Sequence, residues 1–392
     1  MRKESAIRNP QSAVRIAIVG AGPAGSTLAI RLAQAGFETM LLEKETFPRQ
    51  KLCGEFISPE CLKHFQELGA LESMLAAGGD KIHETRFFET GGRSVNVPSS
   101  WFGDGNSFAL GLSRAEMDLQ LMERAKAVGV DVREGTTISN AKFEGDRMAS
   151  VTARLPDGSK TEVDADIFID ATGRAAALGR QVGGKDSTSS VKPEIVGFKS
   201  HIQGANLGFG LCEIYSFPGG YAGLAHVERG KANLCLLVRS DVVRDVGSDA
   251  RRIVEAYVVK NRRAAETLRE FSSDEWLAVS ISGFGTKRLT IAPNAFAVGD
   301  AAAFIDPFTG SGMVMAMESS AILAQAISET GRDLKRLSKE YETRYRRRFE
   351  RRLRVCSLLR RTAFMPRLAT VLVASLGLST SARRLLARST RS

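Results

Sequence analysis

The sequence has few of the residues that build disulfide frameworks or metal centres. Its 392 residues include five cysteines, no two of which form a C-x-x-C pair, and four histidines without metal-ligand spacing. An odd number of such cysteines is typical of a reduced cytoplasmic protein rather than a secreted one. We therefore expect no disulfide scaffold, no bound metal and a cytoplasmic location.

Long hydrophobic runs are also missing. The N-terminal stretch MRKESAIRNPQSAVR has no apolar core of signal-peptide length. The apolar segment from Leu368 to Leu378 is far shorter than the ~20 residues that a transmembrane helix needs. With 43% hydrophobic and 25% charged residues, the composition predicts a globular protein long enough for two domains.

Acidic residues become scarce toward the C-terminus, where much of the net charge of +11 lies. Arginine is concentrated in RYRRRFERRLRVCSLLRR, which begins at Arg344, and in the final ARRLLARSTRS. Two interpretations stay open: a solvated helical face with a frayed tail, or a basic surface for an anionic membrane, an acidic carrier protein or nucleic acid. We favour the solvated face. No aromatic-interleaved basic stripe is present, so we expect no nucleic-acid partner.

The most informative stretch that is present runs from Arg15 to Glu43. An apolar strand at 15–19 precedes the turn GAGPAG at 20–25, and a helix to residue 35 and a second strand at 37–42 follow. This order is typical of a dinucleotide-binding βαβ unit. The residues that such a unit places at the dinucleotide are Gly20, Gly22, Pro23, Ala24, Gly25 and Glu43.

Each glycine of this turn has a separate physical role. Gly20 allows the tight turn, Gly22 lets backbone N–H groups approach a pyrophosphate, and Gly25 lets helix and strand pack closely. Glu43, at the end of the second strand, can accept hydrogen bonds from a ribose hydroxyl. An acidic residue here favours a ribose with a free 2′-hydroxyl, and therefore FAD or NAD over NADP.

The next segments alternate between loops, helices and a hairpin. Residues 44–57 are expected to form an irregular loop near the nucleotide, followed by a helix from Ser58 to Gly69. The pattern predicts a hairpin over 82–97. Ser113 and Glu116 match a capping box, which places Arg114 in the first turn of the next helix, where it can meet a phosphate.

The remaining pattern predicts two returns of the chain to the nucleotide. Short strands between residues 130 and 164 indicate a three-stranded antiparallel crossover, and the buried strand ADIFID then delivers Asp170. A second sheet with one open face and a helix over 249–270 are expected next. The strand at 295–300 delivers Asp300 before a glycine-containing loop and a long helix.

From Arg15 to Ile327 the sequence resembles the superfamily of FAD-dependent oxidoreductases that includes aromatic hydroxylases (flavoprotein monooxygenases), geranylgeranyl reductases and flavin-dependent halogenases. The resemblance rests on three motifs in order: GAGPAG with Glu43, IDATGR, and VGDAAAFIDPFTGSGM. It implies bound FAD and an α/β fold. This fold has a Rossmann-like FAD-binding domain, whose parallel sheet carries the antiparallel crossover, a mixed-sheet substrate domain and a C-terminal helical segment. The implied boundaries are 13–84, 108–184 and 290–330 for the discontinuous FAD-binding domain, 85–107 and 185–289 for the substrate domain, and 331–392 for the basic C-terminal helices.

The resemblance also implies roles for individual residues. Asp300 would bind the ribityl chain, and Arg114 the pyrophosphate. The helix beginning at Met313 would direct its positive N-terminal end toward the negative charge of reduced flavin. The loop beside the flavin ring is matched by Pro307, Gly310 and Gly312, and the other residues expected near FAD are Lys44, Arg49, Cys53, Gly54, Glu55, Asp170 and Gly173.

Two segments bear on the reaction type. The middle motif, ending at Arg174, departs from the Asp-Gly pair of the hydroxylases, so the resemblance does not carry their NAD(P)H site over to this chain. The loop PRQKLCGEFISPE is similar to the cysteine-glycine segment of geranylgeranyl reductases and to the Gly-Glu-Ser segment of halogenases. Cys53 is either an active-site thiol or a small buried hydrophobe. No other catalytic residue is evident.

The sequence-based hypothesis is a monooxygenase that uses NAD(P)H and O₂, through oxygen bound at flavin C4a, on a small apolar, aromatic or polyketide-like metabolite. The alternative is a reductase of carbon–carbon double bonds acting on a prenyl or polyketide chain, free or carrier-bound. A halogenase is less favoured because Trp101 and Trp276 lie outside a Trp-x-Trp-x-Ile-Pro segment and Lys81 has no motif. A flavin-binding protein without turnover is the remaining alternative. An apolar pocket is expected between the second sheet and the Pro307 loop, with an aromatic wall or plain core formed by Phe198, Phe209, Tyr215, Phe217 and Tyr221.

Overall fold

The computed structural model describes residues 14–103, 108–182, 194–282, 284–363 and 366–391. Within these residues the chain forms 22 strands and twelve α-helices, numbered in chain order. The first residue of the predicted FAD-binding domain, and residues 104–107 and 185–193 of the predicted substrate domain, lie outside the described residues. The N-terminal stretch that lacks a signal pattern also lies outside them up to residue 13.

A six-stranded sheet forms the centre of the nucleotide-binding half, in the order β20-β21-β12-β1-β2-β8. All of its pairings are parallel except β20 with β21. Val19 is in register with both Leu42 and Asp170, so the carboxyl ends of three strands meet at one edge. The strands are β1 (Arg15–Val19), β2 (Glu38–Leu42), β8 (Asp131–Arg133), β12 (Ile167–Asp170), β20 (Thr290–Ala292) and β21 (Ala295–Ala297).

The predicted antiparallel crossover is confirmed as a separate three-stranded sheet between β8 and β12. It consists of β9 (Thr137–Glu144), β10 (Arg147–Arg154) and β11 (Lys160–Asp164), with β10 in the middle. Asn294 joins it to the central sheet, because its side-chain amide bonds both the N–H and the carbonyl of Met148.

The second half is built on an eight-stranded mixed sheet, in the order β17-β13-β16-β15-β14-β5-β6 with β18 also paired to β13. Its pairings are antiparallel except β14 with β5. The predicted hairpin is confirmed as β5 and β6, and the predicted second sheet contains β13 to β16. The strands are β5 (Glu84–Phe88), β6 (Ser94–Pro98), β13 (Ile195–Gln203), β14 (Leu211–Phe217), β15 (Gly220–His226), β16 (Ala232–Arg239), β17 (Ser272–Ser273) and β18 (Leu277–Ile281).

Two small sheets lie between the large ones. One has the order β3-β7-β4 and the other pairs β19 with β22. Their strands are β3 (Phe56–Ile57), β4 (Asp80–Ile82), β7 (Ala109–Gly111), β19 (Gly285–Thr286) and β22 (Ala303–Phe304). Gly111 is required in β7, since a Cβ there would lie 2.0 Å from the carbonyl oxygen of His226 in β15.

Helices cover the central sheet and form the C-terminal segment. The capping prediction is confirmed, because the Ser113 hydroxyl accepts a 3.1 Å hydrogen bond from the N–H of Glu116. The helices are α1 (Pro23–Gln34), α2 (Pro59–Leu68), α3 (Leu71–Ala76), α4 (Arg114–Ala127), α5 (Ala177–Val182), α6 (Ser240–Asp245), α7 (Ala250–Ala256), α8 (Arg262–Thr267), α9 (Gly312–Thr330), α10 (Leu334–Ala363), α11 (Pro366–Gly377) and α12 (Thr380–Ser389). None of the helices in the described ranges is long and apolar enough to cross a membrane.

The single helix predicted over 249–270 is wrong. The structure has α7, a short 3₁₀ turn and α8, and the break falls at Asn261. The Asn261 side chain is fully buried and donates to the carbonyls of Phe88, Glu89 and Ser216, while its oxygen caps α8. An asparagine that satisfies backbone groups in this way stabilises a helix start rather than a helix interior.

Candidate cofactor and substrate site

The glycine turn after β1 packs too closely for side chains. Gly20 has φ +102°, and a Cβ there would lie 2.5 Å from the carbonyl oxygen of Ala171. A Cβ at Gly25 would lie 1.8 Å from the carbonyl oxygen of Gly20. The turn, the start of α1 and the end of β12 therefore meet only because these two positions are glycine.

Two arginines lie over this turn and share one buried carboxylate. Arg114 binds Asp118 through Nε at 2.9 Å and Nη2 at 2.7 Å, and Nη1 of Arg49 lies 3.1 Å from the same carboxylate. A Cβ at Gly22 would lie 3.7 Å from Nη2 of Arg114 and 4.0 Å from Nη2 of Arg49. The structure therefore brings together Gly22, Arg49 and Arg114, which the sequence predicted separately.

The cations at this turn exceed the nearby carboxylates. Nε of Arg49 is buried and makes no hydrogen bond within the described part of the chain, and its Nη1 meets Asp118 as an ion pair without hydrogen-bond geometry. Burial lowers the pKa of Lys51, and the charges of Arg49, Arg114 and Lys44 lower it further. A buried donor without an acceptor is costly, and a helix N-terminus adds positive potential. These residues fit a bound diphosphate, which is the bridge between the two halves of FAD.

Glu43 lies at the end of β2 with 6% of its surface exposed. Its Oε2 accepts a 2.8 Å hydrogen bond from the N–H of Ala21, and its Oε1 accepts one from the N–H of Glu45 at 3.1 Å. A carboxylate can accept about four hydrogen bonds, so each oxygen keeps the capacity to accept one from a ribose hydroxyl.

A second group of charges surrounds Asp300, just after β21. Burial raises the pKa of the Asp300 carboxyl, and the charges of Arg174, Arg114 and Lys287 act in the opposite direction. Burial also lowers the pKa of Lys287 and Arg174. Nζ of Lys287 donates to the carbonyls of Arg174 and Asp300, which ties the middle motif to the Asp300 turn.

Asp170 and Gly173 take different parts in the middle motif. The Asp170 carboxylate is fully buried and accepts four hydrogen bonds, from the N–H and hydroxyl of Thr172 and the N–H groups of Leu178 and Gly179. It therefore shapes the turn that enters α5. Gly173 has φ +70°, and no atom lies within 4 Å of the position a Cβ would take.

The loop before α9 is fixed by Asp306. Its Oδ1 accepts 2.9 Å hydrogen bonds from the N–H of Phe308 and from the hydroxyl of Tyr221 in β15. Gly310 ends the following 3₁₀ turn with φ +61°, and α9 begins at Gly312, one residue before the predicted Met313. The loop thus joins the N-terminus of α9 to the second sheet.

The loop at 44–55 places the remaining predicted residues. Lys44 is exposed and pairs with Glu45 at 3.1 Å. The carbonyl of Cys53 accepts from Nδ2 of Asn233 in β16 at 3.0 Å, and the Cys53 thiol lies beside the Arg114 guanidinium, whose pKa it helps to raise. Gly54 is exposed, and no atom lies within 4 Å of a Cβ placed there.

Sequence reasoning missed a buried charged cluster behind this loop. Glu55 has φ +52° and no exposed surface. Its Oε1 lies 2.5 Å from Nζ of Lys199 and accepts from the N–H of Arg114 at 2.8 Å, and its Oε2 lies 2.7 Å from Nε2 of His201. Lys199 is itself 2% exposed and also donates to Gln50.

This cluster connects the loop at 44–55 to the eight-stranded sheet. Burial alone raises the pKa of Glu55, but the hydrogen bond from His201 and the charge of Lys199 outweigh it and hold the pKa below its ordinary value. One signal was available in the sequence: a lysine directly after Phe198, within a mostly buried strand. Another was the i, i+4 spacing of Arg114 and Asp118 on one helix.

The expected aromatic wall is only partly correct. Side chains alternate between the two faces of a strand, so Phe198, Tyr215 and Phe217 point to the opposite face, where they pack in the core against α6 to α8. Phe209 is 77% exposed and stacks on His226. Only Tyr221 of the five faces the Pro307 loop, with its ring 5.1 Å from that of Phe308.

The sheet face toward the loop carries an apolar wall and a polar end. Lys199, Cys235, Gly223, Ile214 and Phe87 form one row across β13, β16, β15, β14 and β5. The polar end is the Glu55 cluster. The apolar wall is a cluster formed by Ile195, Tyr221, Leu237, Ile281 and Phe304, against which Ile214, Phe284 and Phe308 pack.

The parallel sheet, its glycine turn and the arginine pair are the features of a dinucleotide-binding α/β protein, here with a second, mixed sheet. The chain belongs to the FAD binding domain family, whose model matches residues 13–355. It is an FAD-dependent oxidoreductase of the superfamily that includes halogenases and geranylgeranyl reductases.

Similar proteins differ in their chemistry. The chain is 27% identical over 338 residues to a tryptophan 2-halogenase of Chondromyces crocatus, covering 81% of this chain and 61% of that protein. It is 28% identical over 345 residues to a digeranylgeranylglycerophospholipid reductase of Methanosarcina acetivorans, covering 84% and 80%. It is 27% identical over 388 residues to a menaquinone reductase of Mycobacterium tuberculosis, covering 95% and 90%.

Solved structures share the fold. The flavin-dependent brominase Bmp2 superposes with a TM-score of 0.78 at 17% identity, covering 96% of this chain and 93% of that one. PqsL of Pseudomonas aeruginosa, a probable FAD-dependent monooxygenase, superposes with a TM-score of 0.71 at 19% identity, covering 91% and 98%. At these identities the likeness concerns the fold alone.

Proposed function

We propose that this FAD-dependent oxidoreductase reduces a carbon–carbon double bond of a large apolar, isoprenoid-like substrate. The observation that carries the proposal is the apolar wall on the eight-stranded sheet, which faces the Pro307 loop through Tyr221, Leu237 and Phe304. Two reductases of isoprenoid compounds are similar to this chain over at least 80% of their own length. The comparable halogenase shares only 61% of its length.

The proposed reaction adds a hydride and a proton across one carbon–carbon double bond. Bound FAD, once reduced, would supply the hydride, and a proton from the site or from solvent would complete the saturated carbon pair. The residues of this chain would bind and orient the cofactor: Arg49 and Arg114 the diphosphate, Glu43 the ribose, and Asp300 the ribityl chain. Apolar side chains such as Leu237 align the substrate and exclude water.

The proposed electron donor is NAD(P)H, because the reaction consumes a hydride equivalent in each turnover. Anaerobic mixing of the FAD-loaded protein with NADH or NADPH tests the donor. We expect one of the two to bleach the oxidised flavin spectrum at a saturable rate. If neither does so, the electrons come from another source.

A monooxygenase is the second candidate, favoured by the aromatic rings in the wall. Phe284 and Phe304 stack with ring centroids 4.9 Å apart, and Phe308 packs edge-on against Tyr221. Such an enclosure also suits oxygen chemistry, which needs water kept out. Halogenation is not proposed, since Lys81 is exposed over Phe108 and the buried Lys199 is bound to Glu55 and Gln50.

One experiment separates the two reactions. The FAD-loaded protein is reduced with one equivalent of dithionite without oxygen and mixed with a geranylgeranyl lipid, and the product is analysed by mass spectrometry. A reductase reoxidises the flavin anaerobically and returns a product with two added hydrogens. A monooxygenase reacts only when ¹⁸O₂ is admitted, shows a transient flavin spectrum before reoxidation, and adds one labelled oxygen. That second outcome would replace the proposed function.

A further inference from the structure

The C-terminal helices expose most of the large apolar side chains on the surface. Six such side chains are exposed among the residues whose exposure is described, and four belong to the segment from the end of α10 to α12. They are Leu358 (66% exposed), Val371 (64%), Leu378 (91%) and Leu385 (72%). Scattered single hydrophobic residues are ordinary, but a concentration in one segment is typical of an interaction surface.

All charged side chains of the same segment are basic. From Arg351 onward the sequence has ten arginines and no aspartate or glutamate. On α12, Arg384 and Arg388 are exposed on either side of Leu385 along the chain. Positive charge beside exposed aliphatic side chains is complementary to a membrane with anionic headgroups.

Contacts with the body of the protein fix these helices without covering the apolar side chains. The Thr370 hydroxyl donates to Oε2 of Glu89 at 3.2 Å, and Nη1 of Arg383 donates to Oδ1 of Asn96 at 2.8 Å. Both acceptors belong to the hairpin of β5 and β6 or its turn. Helix α11 has 12 residues, about 18 Å at 1.5 Å per residue, so it can lie on a bilayer but not cross its ~30 Å core.

The end of α12 leads to the candidate site. Arg391 forms an ion pair with Glu60 at 3.2 Å, and its guanidinium lies 4.9 Å from the ring centre of Phe102. A Cβ at Gly310 would lie 3.9 Å from Nη2 of Arg391. The Arg391 carbonyl accepts from Arg348, so the last helix is anchored beside the loop that precedes α9.

We propose that the end of α10, together with α11 and α12, docks this protein on an anionic membrane surface. The four exposed apolar side chains enter the headgroup region and the arginines pair with lipid phosphates. A lipid partner fits better than nucleic acid because the exposed side chains are aliphatic, whereas single-stranded nucleic acid stacks on aromatic rings. The docking does not depend on which reaction the site performs.

The test is co-sedimentation of the full-length, FAD-loaded protein with vesicles. We expect binding to vesicles of phosphatidylcholine with phosphatidylglycerol, and weak binding to phosphatidylcholine alone. The double variant Leu378→Ser with Leu385→Ser should bind about a hundredfold more weakly, since each inserted leucine adds roughly an order of magnitude or more to binding. The matched control is Phe209→Ser, which removes a side chain that is 77% exposed outside this surface and should leave binding unchanged.

Three results would overturn the proposal. The wild-type protein would stay in the supernatant with anionic vesicles; the control and the double variant would lose binding equally; or salt would abolish binding while the leucine substitutions change nothing. The last result would point to general attraction by the arginines, as for nucleic acid or an acidic carrier. If the double variant melts early, Arg384→Gln with Arg388→Gln tests the same surface, with weaker binding to anionic vesicles expected.

Discussion

Nζ of Lys199 lies 2.5 Å from Oε1 of Glu55, although the two residues are 144 positions apart and belong to different halves of the molecule. Lys199 lies in β13 of the eight-stranded sheet, and Glu55 is the last residue of the loop that carries Arg49 and Cys53. Because the N–H of Arg114 also binds Glu55, this one carboxylate joins the loop at 44–55, the eight-stranded sheet and the start of α4.

The first prediction is that Glu55→Gly destabilises the protein and weakens FAD binding. Glycine accepts the positive φ of this position, so the loss reports on the carboxylate rather than on backbone strain. Lys199 would remain buried without its anion, which costs about 3–5 kcal/mol. Chemical denaturation measures the free energy of unfolding, and flavin fluorescence titration measures the affinity. Glu255→Gln, in an exposed pair with Arg251, should change stability by at most about 1 kcal/mol. Equal effects of the two substitutions would contradict this role.

The second prediction concerns pH. The pKa of Glu55 is lower in the folded protein than its ordinary value of 4.5. Its ionised form therefore contributes stability that is fully present above 4.5 and is lost as the pH falls through the lower, folded-state value. The difference in unfolding free energy between wild type and Glu55→Gln should be constant near neutral pH and shrink in acid. A difference that grows on acidification would show the opposite sign of the pKa shift.

The third prediction addresses the diphosphate site. Arg49→Met removes a buried guanidinium that lies over Gly22, and FAD affinity should fall about tenfold or more. Arg49→Lys keeps the charge but not the planar fork, so it should retain part of the affinity. The bound flavin per protein, read from absorbance after gel filtration, provides the measurement. Arg252→Met, at an exposed position far along the chain, serves as control. Full flavin content in Arg49→Met would remove this arginine from the site.

The fourth prediction uses the glycine turn and the second charged group. Gly22→Val fills the space under the two arginines, and Asp300→Ala removes the buried carboxylate after β21. Each variant should purify with little or no flavin while keeping a cooperative thermal transition. Ala374→Val, on the exposed side of α11, should purify as yellow as the wild type. An Asp300→Ala protein that purifies with its full content of FAD would exclude Asp300 from cofactor binding.

The fifth prediction concerns the anchoring of the C-terminal helices. Arg352 is 1% exposed, and its Nη1 binds Oε2 of Glu318 on α9 at 2.8 Å. Arg352→Met should leave Glu318 without this partner, and hydrogen exchange should rise in α12. Arg346→Met removes an exposed arginine of the same helix and should leave exchange unchanged. Unchanged exchange in both variants would mean that other contacts hold the helices.

Local patterns were enough to find most elements of the fold. The glycine turn, the capping box at Ser113, the β5–β6 hairpin and the crossover are each determined by neighbours in sequence, through backbone sterics and short-range hydrogen bonds. The break at Asn261 was not found, because its partners Phe88 and Ser216 come from distant strands. The aromatic wall was misassigned for a related reason, since the face that a strand buries depends on what packs against each side.

By itself the sequence determined the strand, glycine turn, helix and terminal acid of a dinucleotide-binding unit, because these features follow from a few consecutive residues. Only the tertiary structure showed that Arg49 and Arg114 share Asp118, and that Glu55 binds both Lys199 and His201. Apart from the i, i+4 pair of Arg114 and Asp118, these contacts join partners more than 50 residues apart, and their strength comes from burial, which no local pattern encodes.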